Sequence, residues 1–551
     1  MTTKQSKFHA SRRQMLAMLG IGTASAAMPG LFRAGPAAAQ DAPKGQIVLG
    51  FSQEPTVFNP HLLHIEVDEG IYFAIFDPLF GVDEKGAFYP CLAAEVPTVA
   101  NGGISEDGLK WRMKLRDGVT WHDGTPFTAE DVKFTMELLV NPDFNSWRHT
   151  GHELVRDLTV VSPTELAWTM AEPYAPYASI LASTFIVPKH AFDGQADLNN
   201  TPFNNAPVGT GPFKWSKRVA GDYIEMAANT DYYGDGPFVE RLIVKYIPDL
   251  TVMYTQFKTG DIDVIGLQGI SADHYDEASK LSDRVVVKAP GSPIETFSLN
   301  LGLPVFQDKA VRQALYLAID KASIIDALYF GLPVATESYM PQQAYYYDPD
   351  LPKHEFNIEK ANALLEDAGW KMGSDGVRVK DGLRLSFENA TTSGNHLREQ
   401  MQQFMQQTFA QIGAEMTIRN LPPAVMWGDN WMLSQYQSAI AGIVFLTGGD
   451  PDTSDYFGSK AIPAQGGAGQ NTWQWKNAEV DTLLKQGAEI FVPEERRKVY
   501  FKIQELVRDE LPFLPLHQFT DLRGYKTGIE GFEPNVNVRI DDWNVGTWRW
   551  S

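Results

Sequence analysis

The stretch Leu109–Thr135, LKWRMKLRDGVTWHDGTPFTAEDVKFT, decides how the rest of the chain is read. Leu109, Trp111, Met113 and Leu115 alternate with Lys110, Arg112, Lys114 and Arg116. A period of two predicts a strand with one buried face. Asp117-Gly118 predicts the turn that closes it. Asp123-Gly124, followed by Thr125-Pro126, predicts a second turn. A helix then follows, with Thr128 as N-cap and Glu130 and Asp131 in its positive first turn. Val132, Met136 and Leu139 share its apolar face. His122 and Asp123 invite a catalytic reading. Neighbours at a strand end point to opposite sides, however, so the pair is expected to hold the turn and not to form a dyad.

Similar pieces recur outward from this block. Ile47–Phe51 reads as a first strand, and Gly413–Leu421 as a late one. Ala310–Phe330 reads as one helix ended by Gly331 and Pro333. Leu397–Ile412 reads as a second, with Leu397, Met401, Phe404, Met405 and Ile412 near one face. Pro493–Leu511 reads as a third, and Pro512–Phe519 as extended chain. Strands alternating with helices, without a fixed repeat, predict α/β lobes.

The 551 residues give room for two or more lobes with their own cores. A net charge of −21 argues against nucleic acid and against a broad anionic membrane face. The single cysteine, Cys91, excludes an internal disulfide and a thiolate metal cluster, and a buried, inert thiol is expected. Residues 1–39 read as an export signal. Lys4, Lys7, Arg12 and Arg13 precede the apolar run Met15–Ala27, which is too short to cross a ~30 Å hydrocarbon core as a helix. Small residues follow, ending AAAQ, with cleavage expected after Ala39. Ser11–Leu16, SRRQML, resembles a twin-arginine signal, with Met15 where Phe is more usual. The expected location is the bacterial periplasm.

Chemistry is hard to find. The eleven histidines show no paired metal spacing, and neither H-E-x-x-H, a P-loop nor G-x-S-x-G occurs. Gly209–Phe213, GTGPF, holds only G-x-G and opens no obvious helix. Asp261 and Asp263 read as a solvated strand entry. No enzyme, no metal site and no cofactor is expected.

Eight blocks in order resemble one family: Glu54–Leu62, Gly86–Val96, Leu109–Thr135, Pro207–Trp215, Gln256–Val264, Asn300–Ile325, Phe356–Trp370 and Glu495–Leu516. They look like the bacterial extracellular solute-binding proteins of family 5, the peptide, opine and nickel class that feeds ABC importers. The resemblance implies a two-lobed periplasmic-binding-protein fold (α/β, type II, cluster C) with a hinge and an extra subdomain. Lobe I would hold residues 46–80, 207–297 and 510–551, the extra subdomain 81–206, and lobe II 298–509. The chain would cross between lobes near Phe297–Leu303 and Pro512–Phe519. It would be a monomer that captures a peptide or peptide-like solute and hands it to an inner-membrane permease, with no nucleic-acid partner.

Peptide binders of this family often anchor an α-ammonium on an acid shortly before an Asp-Pro. Here Asp450-Pro451 fits the loop, but Thr447 stands at the acid's place after apolar Ile443–Leu446, Phe445 among them. A buried ammonium without a counter-charge is costly. Glu295 or Asp429 would then have to substitute, or the solute lacks a free amine, as an opine, an oligosaccharide, a metal chelate or a capped peptide does. The other expected contacts are Thr56 and Val57 in the first loop, Phe297 on the first crossing and His517, with Gln518, on the second. Trp427 and Trp431, four apart, would form a stacking wall, and one of Tyr345, Tyr346 and Tyr347 would reach the cleft mouth. Each of Phe297, Trp427, Trp431 and His517 has core or hinge packing as its alternative. A hydrolase on the same scaffold is the rival from another class; it needs a nucleophile or carboxylate pair that the sequence does not offer.

Overall fold

The computed structural model describes residues 42–266, 269–445, 449–538, 540 and 542–551. The export-signal reading of residues 1–39 and the reading of Thr447 fall outside them. The strands that matter for the site are, in chain order, β1 (Gln46–Phe51), β2 (Lys110–Lys114), β3 (Val155–Ser162), β4 (Glu165–Met170), β5 (Phe213–Val219), β6 (Tyr223–Ala228), β7 (Arg241–Tyr246), β8 (Val264–Ile265), β9 (Arg284–Leu299), β10 (Ser386–Ala390), β11 (Glu415–Ile418), β12 (Ser438–Ile443) and β13 (Phe513–Lys526). The helices are α1 (Glu66–Ile75), α2 (Ala129–Leu139), α3 (Tyr177–Ala182), α4 (Lys309–Leu317), α5 (Lys321–Tyr329), α6 (His396–Gln411), α7 (Ala478–Glu489) and α8 (Pro493–Glu510).

Two lobes share one mixed sheet, ordered β11-β10-β12-β9-β13-β8-β1-β7-β6-β5. The long antiparallel pair β9 and β13 runs through both. Arg284–Pro290 pairs with Thr520–Lys526 on the β8 side, and Ile294–Ser298 with Phe513–Gln518 on the β12 side, with a register break between Pro290 and Ile294. The chain therefore crosses at Gly291–Pro293 and at Phe519. The first crossing lies before the Phe297–Leu303 expected from sequence, because Ile294–Leu299 is already paired with β12. Two strands with an interrupted ladder make a natural hinge: few hydrogen bonds have to break for the lobes to rotate.

Each lobe has its own core. Ile47, Leu49, Phe51, Ile71, Phe76, Phe213 and Leu242 pack in the first. Phe306, Leu315, Phe387, Met401, Phe409 and Leu514 pack in the second. The opening stretch builds a third, where Trp111, Met113 and Leu115 of the β2 region meet Val132 and Met136 of α2 and Trp168 of β4. β2, β4 and β3 form its sheet. Thr128 is the N-cap of α2, and its amide donates to the Asp131 carboxylate at 2.9 Å. Val132, Met136 and Leu139 are all buried, as their spacing predicts.

Two helix readings need correction. Ala310–Phe330 is not one helix: α4 ends at Leu317, and Asp320 starts α5 by accepting from the Ser323 amide at 3.0 Å. A capping Asp offers the backbone a better partner than continuing the helix would. In α6 the buried stripe is Met401, Met405 and Phe409, while Leu397 and Phe404 are exposed. Cys91 is buried.

Candidate functional site

A cavity of about 950 Å³, counting the open solvent at its mouth, lies between the lobes. α1 supplies Tyr72 and Phe73, and the 81–206 segment supplies Tyr89, Trp147, Arg148 and Phe185. Trp543 enters from the C-terminal return. Ser292, at the crossing, and Val444, just after β12, close the opposite side. Aromatic walls of this kind offer large, rigid stacking surface at little entropic cost.

The walls are fixed by buried polar groups. Asp68, fully buried at the start of α1, accepts from the amides of Thr56 (2.6 Å), Val57 (3.0 Å) and Ile65 (2.9 Å). The Tyr72 hydroxyl donates to the Val57 carbonyl at 2.8 Å. Burial, with Asp68 and Glu69 nearby, pushes the Tyr72 phenol up, so it stays neutral. His64 sits edge-on to Trp147, with ring centroids 4.8 Å apart, and its Nε2 lies 3.3 Å from Glu69 Oε1. The Arg148 guanidinium lies 4.3 Å from the Trp147 ring centre and donates to Ser183 Oγ at 3.1 Å. Arg148 also borders a smaller, more polar opening lined by Tyr174, Ser179, Asp452 and Asp455. There burial, reinforced by Asp450, raises the Asp452 carboxyl.

The residues singled out from sequence scatter over this frame. Thr56 and Val57 lie beside the cavity, in the loop that Asp68 organises, and their amides are already engaged. Glu295 is wholly buried and clasped by Arg398, Nε to Oε1 2.5 Å and Nη2 to Oε2 2.8 Å. Its carboxylate is committed to that pair, which corrects the reading of Glu295 as a substitute ammonium anchor. Phe297 is core, packed edge-on against Phe409 with centroids 5.6 Å apart. Both faces of β9 are covered there, so its ring does not reach the cavity.

Trp427 and Trp431 do touch, centroids 5.5 Å apart, but they form no common wall. The backbone departs from helix at Gly428 (ψ −137°) between them. Trp431 is buried and stacked on Tyr436, and Trp427 stays at the surface, 38% exposed. Asp429 is exposed too. Phe445 is buried among Tyr339, Phe457, Trp473 and Phe513. Asp450 is buried in a two-point pair with Arg496 (2.6 and 2.9 Å) and accepts from Ser179 Oγ at 3.1 Å. His517 is buried against Tyr329, and burial pushes its imidazole down to about 3. Gln518 Nε2 donates to the Gly291 carbonyl at 2.9 Å, tying the two crossings together. Tyr345 packs beside Gly86 of the facing lobe.

His122 serves the fold. Its Nδ1 accepts from the Gly209 amide at 3.2 Å and its Nε2 pairs with the Gly211 carbonyl at 3.0 Å. The GTGPF turn is thereby pinned to the opening stretch. Asp123 pairs with His190, at 2.8 Å, and not with His122.

Tyr72, Tyr89, Trp147, Arg148 and Trp543 escaped sequence reasoning. They come from distant segments, and only α1, with its acidic first turn and apolar face, carried a local signal.

Comparison with known proteins bears on the whole arrangement. A family model described as "Bacterial extracellular solute-binding proteins, family 5 Middle" matches residues 87–464. The chain is 29% identical over 521 residues to the oligopeptide-binding protein AppA of Bacillus subtilis, covering 92% of this chain and 91% of that protein. The solved structure of that AppA in complex with a nonapeptide superposes with a TM-score of 0.72 at 28% identity, over 93% of this chain and all of the other. NikZ from Campylobacter jejuni, solved in complex with Ni(L-His), gives 0.74 at 27% identity, over 92% of this chain and all of the other.

Proposed function

The chain belongs to the bacterial extracellular solute-binding proteins of family 5, and from that premise we propose that it captures a small solute between its two lobes and releases it unchanged. The observation that carries the reading is the aromatic cavity bounded on one side by Tyr72, Trp147 and Trp543 and on the other by Ser292 and Val444, beside a broken ladder that serves as hinge. A solute touching both walls favours the closed form over the open one, and only that difference moves the lobes. A micromolar solute supplies roughly 8 kcal/mol in all, of which closure uses part. No bond is made or broken.

A peptide or peptide-like molecule is the first reading of the solute, supported by the similarity to AppA. A non-peptide solute such as an opine, oligosaccharide or metal chelate is the second. It is favoured by the Glu295–Arg398 pair, which leaves that acid unavailable to an ammonium, and by the similarity to NikZ. The contacts we assign are Tyr72, Trp147, Arg148 and Trp543, with Thr56 and Val57 at the cavity edge and Val444 on the facing side. Residues 46–80, 207–290 and 520–551 would move as lobe I with 81–206 attached, against 294–518. A monomer in the periplasm, exported on a twin-arginine signal and docking on an ABC permease, completes the reading.

Small-angle scattering tests it. Peptides and metal–histidine chelates are screened by equilibrium dialysis, and scattering is compared with and without the tightest binder. The radius of gyration should fall on binding; an identical envelope contradicts lobe closure.

A further inference from the structure

The lobes also meet away from the cavity. Phe491, in the turn between α7 and α8, leaves its own lobe and packs into the core of the 81–206 segment, edge-on to Trp111 with centroids 6.1 Å apart. It fills the space over Gly108, where a Cβ would lie 2.2 Å from the ring. Gly108 has φ +71°, a conformation that already favours glycine. One residue run away, the Ala175 amide donates to the Ala488 carbonyl at 2.7 Å. Ser179, on α3, donates to Asp450 at 3.1 Å, and Arg496 at the start of α8 holds that carboxylate in place. Phe491, Trp111, Ala175, Ala488 and Ser179 all lie outside the lining of the large cavity.

We propose that these contacts form a latch, in which the α7–α8 turn seats Phe491 in the 81–206 segment and biases the protein toward closure before any solute arrives. The proposal rests on the two-lobe reading above. An apolar ring and two hydrogen bonds formed only when the lobes meet lower the closed state's free energy independently of ligand. The apparent affinity for any solute then scales with the fraction of molecules already closed. The extra subdomain thus sets how tightly a given cavity binds without touching what is bound.

The test needs no solute. Spin labels placed by Asp117→Cys and Lys485→Cys, both exposed and on opposite sides of the latch, report the distance between the 81–206 segment and lobe II. The native thiol, Cys91, is buried and stays unlabelled. In the solute-free protein the short distance should already be populated beside the long one, and added solute should raise its share further. Phe491→Ser should raise the ratio of long to short distances at least tenfold, Phe491→Leu should leave it near the parent, and Ser179→Ala should fall between. Ser179→Ala carries the same test if Phe491→Ser fails to fold. A parent that shows both distances in the same ratio as the folded variants overturns the latch and leaves the two-lobe reading standing. One fixed distance in parent and variants alike, unmoved by an excess of mixed peptides, overturns both.

Discussion

Arg398 holds Glu295 by two hydrogen bonds, 2.5 and 2.8 Å, with the carboxylate wholly out of solvent on β9. Breaking one side of such a buried pair typically costs about 3–5 kcal/mol, because the other charge is left stranded. Glu295→Gln should therefore lower the unfolding free energy by about 3 kcal/mol in urea titration. Solute binding at a temperature where the variant is folded should be unchanged. Loss of binding without loss of stability would return Glu295 to the site.

Stability should fall as the solution is acidified from about pH 6.5. Burial pushes the imidazoles of His61, His122 and His354 down to about 4, and those of His152 and His517 to about 3. The unfolded chain takes up those protons near pH 6.5, whereas the folded one resists until about 4. Unfolding therefore binds protons across that window, so stability is full above pH 6.5 and is lost progressively toward pH 4. His122 shows why: its Nδ1 accepts from the Gly209 amide, and a proton there would set two donors against each other. The urea midpoint of the parent should drop between pH 6.5 and 4.5, and His122→Gln should flatten part of that slope. A midpoint independent of pH over this range would contradict the assignment.

Trp543→Ala and Trp147→Ala should each weaken solute binding at least tenfold, about 1.4 kcal/mol, with little change in melting temperature for Trp543→Ala. Trp427→Ala should leave the calorimetric titration unaltered, because its ring lies outside the cavity wall. The reverse ranking would move the site to the Trp427 segment.

The lone thiol gives a simple check on packing. Cys91 is buried, and its surroundings, with Asp77 nearby, push the thiol up. It should not react with an aromatic disulfide reagent in the native protein and should react fully in denaturant. Rapid native labelling would mean that the region around Leu79 and Leu92 opens.

The sequence made the scaffold readable where patterning was local. The alternation at Leu109–Leu115, the Thr128 cap and the Val132/Met136/Leu139 face each depend on a few adjacent residues, and the structure reproduces them. The break in Ala310–Phe330 was also local: Asp320 and Ser323 have cap spacing, but apolar periodicity on both sides hid them. The site is a different matter. Tyr72, Tyr89, Trp147 and Trp543 converge only through the fold, and nothing in their neighbourhoods marks them as wall rather than core. Phe297 and Phe445 failed as expected contacts for the complementary reason. They sit on or beside central strands covered on both faces, so a large aromatic there is drawn inward.

On the proposed reading, the two lobes grip an intact small molecule and do nothing else to it. Native mass spectrometry of the protein taken from its own cell envelope tests it most directly. An adduct of small-molecule mass should be released on denaturation, rebind to the refolded protein, and keep the same mass after prolonged incubation. A released compound that returns with an altered mass, or refolded protein that cannot rebind it, would rule out capture without chemistry.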